Sequence, residues 1–177
     1  MTDAPLAASV GRRALAFLLD YAVVAAWIAV VVAGGFWLRS AASDLAGSLF
    51  GDPLTAEAVG FLALTLPVGL YFALSEAGPR GATIGKRRLG IRVIGDDGSA
   101  VSIGRSLLRT ALKLAPWELS HAIIWRYANP GSAPDALLTA GLVLVWGLVG
   151  ANLAVAVFDD RRRSIYDRLS RTRVVRA

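Results

Sequence analysis

Apolar positions along this chain fall into long unbroken runs rather than into the half-buried alternation of a soluble helix or strand. Residues 14–38 form the longest run, and Asp20 is its only charged residue. Roughly 20 apolar residues at ~1.5 Å rise cross the hydrocarbon of a bilayer, so this run predicts a transmembrane helix. Residues 136–158 carry no formal charge and predict a second one. Residues 58–75 are shorter and contain Pro67, which a membrane helix accommodates with a kink. The run 106–125 is mixed, because Arg109, Lys113, Pro116, Glu118 and His121 interrupt it. It reads either as an interfacial amphipathic helix or as a span whose polar face is sheltered by its neighbours.

The basic residues between the runs decide among these possibilities. Arg12 and Arg13 precede the first run, and Arg80, Lys86, Arg87, Arg88 and Arg92 follow the second. The tail 159–177 holds Arg161, Arg162, Arg163, Arg168, Arg171, Arg173 and Arg176. The segment between the first two runs has only Arg39, against Asp44, Asp52 and Glu57, and the loop 127–135 has no Lys or Arg. The excess of Lys and Arg on the cytoplasmic side of membrane proteins then puts both termini and the central loop 76–105 in the cytoplasm. An even number of crossings follows, so 106–125 is expected to cross. Within the central loop, residues 89–94 are short and rich in branched side chains. Asp96, Asp97 and Gly98 form a turn signal, and 99–103 are positioned to pair back as a β-hairpin. The expectation is an all-α membrane protein: one domain over 1–177, a four-helix transmembrane bundle with a small cytoplasmic β-hairpin between the second and third spans.

Composition agrees. The chain has 177 residues, 55% of them hydrophobic and 18% charged, and its mean hydropathy is +0.55; soluble domains average about 25% charged. The net charge of +6 would suit nucleic acid, but the basic residues flank apolar runs, so topology accounts for them and no nucleic-acid partner is expected. With no cysteine, disulfides, thiolate metal sites and cysteine nucleophiles are excluded. No serine/lysine or metal-ligand arrangement points to an enzyme, a metal or a cofactor. The first run is too long for the core of a cleavable signal peptide.

Asp20 is the residue that most needs a chemical reason. An ionised carboxyl at the centre of a span costs about 2.5–3.5 kcal/mol on insertion scales, and such residues mark ion or proton sites by default. Arg13 lies seven positions earlier, two turns away on the same helix face and ~10 Å along the axis. It is one candidate partner, though a snorkelling arginine would reach the headgroups instead. Arg109 and Lys113, which continue a four-residue stripe from Arg105, are others. The stripe itself reads as an anion path, or as charges that neutralise Asp20 and the acids of the tail. Glu118 and His121 are three apart and can face one another, as a proton relay or as a plain hydrogen bond. Gly81 to Lys86 resembles a phosphate loop only superficially, since Arg80 and Arg87 stand where the pattern needs Gly and Ser or Thr. Lys86, Arg87 and Arg88 are expected instead to meet anionic lipid headgroups, at about 1 kcal/mol each. Asp159 and Asp160 beside Arg161 to Arg163 read as charges that neutralise one another at a helix exit.

Three motifs carry a resemblance. Arg13, Ala16 and Asp20 make the first. Gly81, Thr83, Gly85, Lys86, Gly90 and Val93 make the second. The third runs from Phe158 through Arg163, Ser164, Asp167 and Thr172 to Val175. In this order, and over nearly the whole chain, they resemble the RDD family of bacterial membrane proteins. The resemblance implies that the family's arginine and two aspartates fall on Arg13, Asp20 and Asp167. One departure is plain: Tyr166 stands before the tail aspartate, where the family usually has His. Arg13, Asp20 and Asp167 are expected to form a polar cluster near the cytoplasmic leaflet, joined by Arg109 of the basic stripe, with Thr83, Gly85, Lys86, Gly90, Arg163 and Thr172 as the loop and tail motif. The functional implication of the resemblance is transport of ions or small solutes, including cation/proton exchange. The alternative is an accessory or scaffold role in a larger membrane complex or homo-oligomer.

Overall fold

The computed structural model describes residues 5–128, 131 and 133–177. Helices dominate: α1 (Val10–Ala41), α2 (Ser43–Phe50), α3 (Pro53–Gly60), a π-helical turn (Phe61–Thr65), α4 (Leu66–Ala77), α5 (Ile84–Arg88), α6 (Ile103–Ala128), α7 (Asp135–Phe158) and α8 (Ile165–Leu169). Two short strands, β1 (Ile91–Gly95) and β2 (Thr172–Arg176), complete it. Three helical segments are long and apolar enough to cross a membrane: Val10–Ala41, Pro53–Ala77 and Asp135–Phe158, with mean hydropathies of 2.4, 1.8 and 2.2. Large apolar side chains such as Leu18, Val30, Phe36, Val143, Trp146 and Leu153 stand exposed along them, as lipid-facing surface would. The 26-residue α6 is long enough to cross but is not among the three, because its polar residues dilute its hydropathy. The loop 127–135 lies partly outside the described residues.

The chain divides into two compact units. The first takes the described residues of Met1–Val23, Gly69–Lys113 and Val149–Ala177, and the second takes Val24–Val68 and Leu114–Leu148. In the first unit, β1 pairs antiparallel with β2, with Ile91 opposite Arg176, Val93 opposite Val174 and Gly95 opposite Thr172. This corrects the expected hairpin, in which 89–94 would pair with 99–103. The turn signal is genuine, since Asp97 accepts hydrogen bonds from the Ser99 amide and hydroxyl at 3.0 and 2.6 Å. The chain leaving it runs into α6, however, and the edge of β1 is taken by the tail. On the far side of β2 the Ala8 amide donates to Val174 O at 2.9 Å. Ala8, Ala16, Ile91, Val93, Val101 and Val174 form one buried apolar cluster beneath.

The second unit shows how Pro67 is accommodated. Proline has no amide proton, so the carbonyl four residues earlier loses its donor. That carbonyl belongs to Ala63, inside the π-helical turn, and Trp27 Nε1 donates to it at 2.9 Å. Asp52 caps α3 by accepting from the Thr55 amide at 2.9 Å, with Pro53 at the first helical position. Ile123, Leu138 and Val145 form the buried apolar cluster of this unit.

Candidate functional site

The charged residues of the first unit converge on three buried carboxylates. Asp20, on the third turn of α1, is 1% exposed. Its Oδ1 accepts from Tyr71 Oη at 2.8 Å and from the Gly85 amide at 2.7 Å, and its Oδ2 accepts from Thr83 Oγ1 at 2.5 Å. The donors come from α4 and from the start of α5, which Thr83 caps by accepting from the Lys86 amide at 3.4 Å. Position 85 must be glycine for this approach. A Cβ there would lie 2.1 Å from Ala16 O and 2.9 Å from Asp20 Cγ. Asp20 therefore has hydrogen-bond donors but no ion pair within 4 Å among the described residues. The pairing of Arg13 with Asp20 is corrected, as is the alternative with Arg109.

Arg13 reaches the tail instead. Its guanidinium donates to Asp167 Oδ2 at 2.5 Å and to Arg162 O. Asp167 Oδ1 receives Arg109 Nε at 3.0 Å and Nη2 at 2.8 Å, and Oδ2 also accepts from the Ser164 amide at 3.0 Å and its hydroxyl at 2.7 Å. Burial pushes the Asp167 carboxyl up. The guanidiniums of Arg109 and Arg13 and the Ser164 donors outweigh that and hold it below the ordinary value of 3.8. Tyr166 presents its ring to Arg109, with the guanidinium carbon 5.0 Å from the centroid, so an aromatic face backs the arginine.

The third carboxylate, Glu76 at the end of α4, had not been identified from the sequence. It is fully buried and receives Arg109 Nη1 at 2.5 Å and Lys86 Nζ, with Lys113 Nζ at 3.9 Å. Lys86 thus turns inward, which corrects its expected place at the lipid surface, whereas Arg87 and Arg88 are exposed. Among the described residues Lys113 makes that one long ion-pair contact, with Glu76, and stands 3.2 Å from the centroid of the Phe72 ring. Four cations, Arg13, Lys86, Arg109 and Lys113, face three carboxylates, Asp20, Glu76 and Asp167, leaving one formal positive charge. A cavity of about 50 Å³ opens among them, lined by Asp20, Lys113, Lys86, Arg109, Arg13 and Phe17. One water occupies about 30 Å³ of liquid, so the cavity is water-sized.

The model of the RDD family matches residues 7–171. The chain belongs to the RDD family. No curated protein and no solved structure matches it. With the apolar spans, this makes it an RDD membrane protein. Of the motif residues outside the ion cluster, Gly90 has φ +59 at the entry to β1, a left-handed conformation that suits glycine. Thr172 is buried opposite Gly95, its hydroxyl 2.9 Å from that of Ser170. Arg163 pairs with Asp159 and Asp96, each at 3.3 Å. Burial raises the Asp159 carboxyl, but the Arg163 amide and the guanidiniums of Arg163 and Arg168 bring it below its usual value. Asp159 at that helix exit is thus neutralised by neighbouring arginines, whereas Asp160 is exposed and makes no ion pair among the described residues.

Chemically, the RDD cluster separates two kinds of charge. Glu76 and Asp167 are bound by cations and tie α4, α6 and the tail together. Asp20 is held by two hydroxyls and one amide, and shares its cavity with the loosely held Lys113. Hydroxyls can turn to donate to a carboxylate or to accept from a protonated carboxyl, so Tyr71 and Thr83 are compatible with either state of Asp20.

Proposed function

We propose that this RDD protein moves ions or small solutes in exchange for protons, with Asp20 as the group that takes up and releases the proton. The observation that carries this reading is the placement of Asp20 and Lys113 on one water-sized cavity without an ion pair between them, while the other carboxylates are bound by cations. Protonating Asp20 would add one positive charge to the cluster. A second unit charge ~4 Å away feels about 4 kcal/mol at an effective dielectric of 20. That is enough to expel a cation or to draw in an anion, which is how a proton at Asp20 would couple to a second ion. In this reading α6 crosses as the fourth span, both termini face the cytoplasm of a bacterial cell, and exposed Arg80, Arg87, Arg88 and Arg92 meet anionic headgroups. Four helices leave little room for a path, so a homo-oligomer or a larger complex would complete it.

The test is ion flux in proteoliposomes under an imposed pH gradient, with Na⁺, K⁺ and chloride salts supplied in turn. Wild type should dissipate the gradient with one of them, and Asp20→Asn and Lys113→Gln should not while remaining folded. A second reading, a non-transporting scaffold, is favoured by one observation: Asp20, Glu76 and Asp167 between them fasten α5 and the tail to α1, α4 and α6. Absence of flux in wild type, together with unfolding of Asp20→Asn, would leave the scaffold reading standing.

A further inference from the structure

The second unit holds a groove of about 700 Å³ that the ion cluster does not use. Val32, Gly35 and Phe36 of α1 and Ala46, Gly47 and Phe50 of α2 supply much of its lining. The Phe50 ring is stacked on Trp125 with centroids 6.5 Å apart. Pockets for small molecules run from about 300 to 1,000 Å³ and are mostly apolar with a few placed polar groups. Here the one charged lining residue is Arg39, which is exposed and makes no ion pair within 4 Å among the described residues. Arg39 lies in the last turn of α1. With 32 residues that helix is ~48 Å long, against ~30 Å of hydrocarbon, so its ends reach the level of lipid headgroups.

Two glycines keep the groove deep, and neither is needed for packing. A Cβ at Gly35 or Gly47 would meet nothing within 4 Å. Gly141, by contrast, is pressed against Ile123, where a Cβ would lie 2.7 Å from a side-chain carbon. Glycine within a helix costs about 1 kcal/mol relative to alanine; Gly34, Gly147 and Gly150 are equally open, and what sets Gly35 and Gly47 apart is their place on the groove wall. An apolar trough with one unpaired cation at headgroup level matches an amphiphile with an anionic head and an alkyl tail.

We propose that this groove binds an anionic phospholipid, with the phosphate on Arg39 and an acyl chain along the trough. The inference needs only that α1 spans the bilayer, and it stands whether or not Asp20 exchanges protons.

The test is native mass spectrometry of the full chain released from micelles containing phosphatidylglycerol or phosphatidylcholine. The basic residues elsewhere can also hold phosphatidylglycerol, so the readout is the difference between wild type and groove variants. Wild type should retain a phosphatidylglycerol adduct that Gly47→Phe weakens by about tenfold, equivalent to about 1.4 kcal/mol. Arg39→Gln should keep adducts but lose the preference over phosphatidylcholine. Helical circular dichroism checks that Gly47→Phe folds, and Gly35→Leu, which fills the same trough from α1, serves if it does not. Equal adducts in wild type, the filled variant and Arg39→Gln would overturn the proposal. So would a dimer that disperses in Gly47→Phe, which would make a second copy of this chain the occupant.

Discussion

Replacing Glu76 by glutamine removes the one carboxylate shared by Lys86, Arg109 and Lys113 while keeping the size of the side chain. The cluster goes from four cations against three carboxylates to four against two. Arg109 is 2% exposed, so hydration replaces little of what it loses. Removing one partner of a buried pair typically costs 3–5 kcal/mol, because the other charge is left uncompensated. For a chain of 150–250 residues each kcal/mol shifts the melting temperature by about 2–4 °C, so Glu76→Gln should melt about 6–20 °C below wild type. Thermal unfolding in one detergent, followed by the fluorescence of the five tryptophans, measures it. The double variant Glu76→Gln/Lys86→Met returns the cluster to three cations against two carboxylates, the net charge of wild type. It should melt above Glu76→Gln alone despite its extra substitution. If Glu76→Gln melts within about 2 °C of wild type, or the double variant below the single, the cluster is solvated and the electrostatic argument fails.

Gly85→Ala places a methyl 2.1 Å from Ala16 O. Overpacking of this kind typically costs 1–3 kcal/mol, and hydrogen exchange at the Gly85 amide should accelerate as α5 moves off Asp20. Thr83→Val removes both the cap of α5 and a donor to Asp20. The expected loss is about 1–3 kcal/mol, largely restored in Thr83→Ser, again read by melting. Asp167 titrates below the ordinary carboxylate value when folded. Its stabilisation is therefore complete above pH 3.8 and is lost as pH falls through the folded value. Amides of Ile165–Leu169 should lose protection on acidification below pH 3.8 in wild type, while Asp167→Asn should be less protected already at neutral pH.

Arg13, Asp20 and Asp167 were legible as members of one site from the order of the motifs, but their pairing was not. Side chains of an α-helix lean toward its N-terminus. Arg13 therefore points away from Asp20, seven residues further along, and toward the tail. Glu76 was missed because it follows the apolar run 58–75 and precedes Gly78 and Pro79, where it reads as a loop residue. The need for a third acid follows only once Lys86 turns inward, and the basic run Lys86 to Arg88 gave no sign of that turn. The strand β2 was hidden because Arg171, Arg173 and Arg176 made the tail read as plain basic charge. Yet Thr172 and Val174 alternate inward with Arg173 between them. Its partner lies some 80 positions away, and a local turn signal at Asp96 to Gly98 favoured the nearer pairing. The span α1 and its buried acid needed no such long-range knowledge, because the length of an apolar run reports them directly.

Proton release by the purified protein on addition of salt tests the exchange reading most directly. In a weakly buffered solution with a pH indicator, wild type should release a proton on binding a cation, or take one up on binding an anion. Asp20→Asn, folded by circular dichroism, should do neither. An equal proton change in Asp20→Asn, or none in folded wild type with any of the salts, would contradict the assignment of Asp20 as the exchanging group.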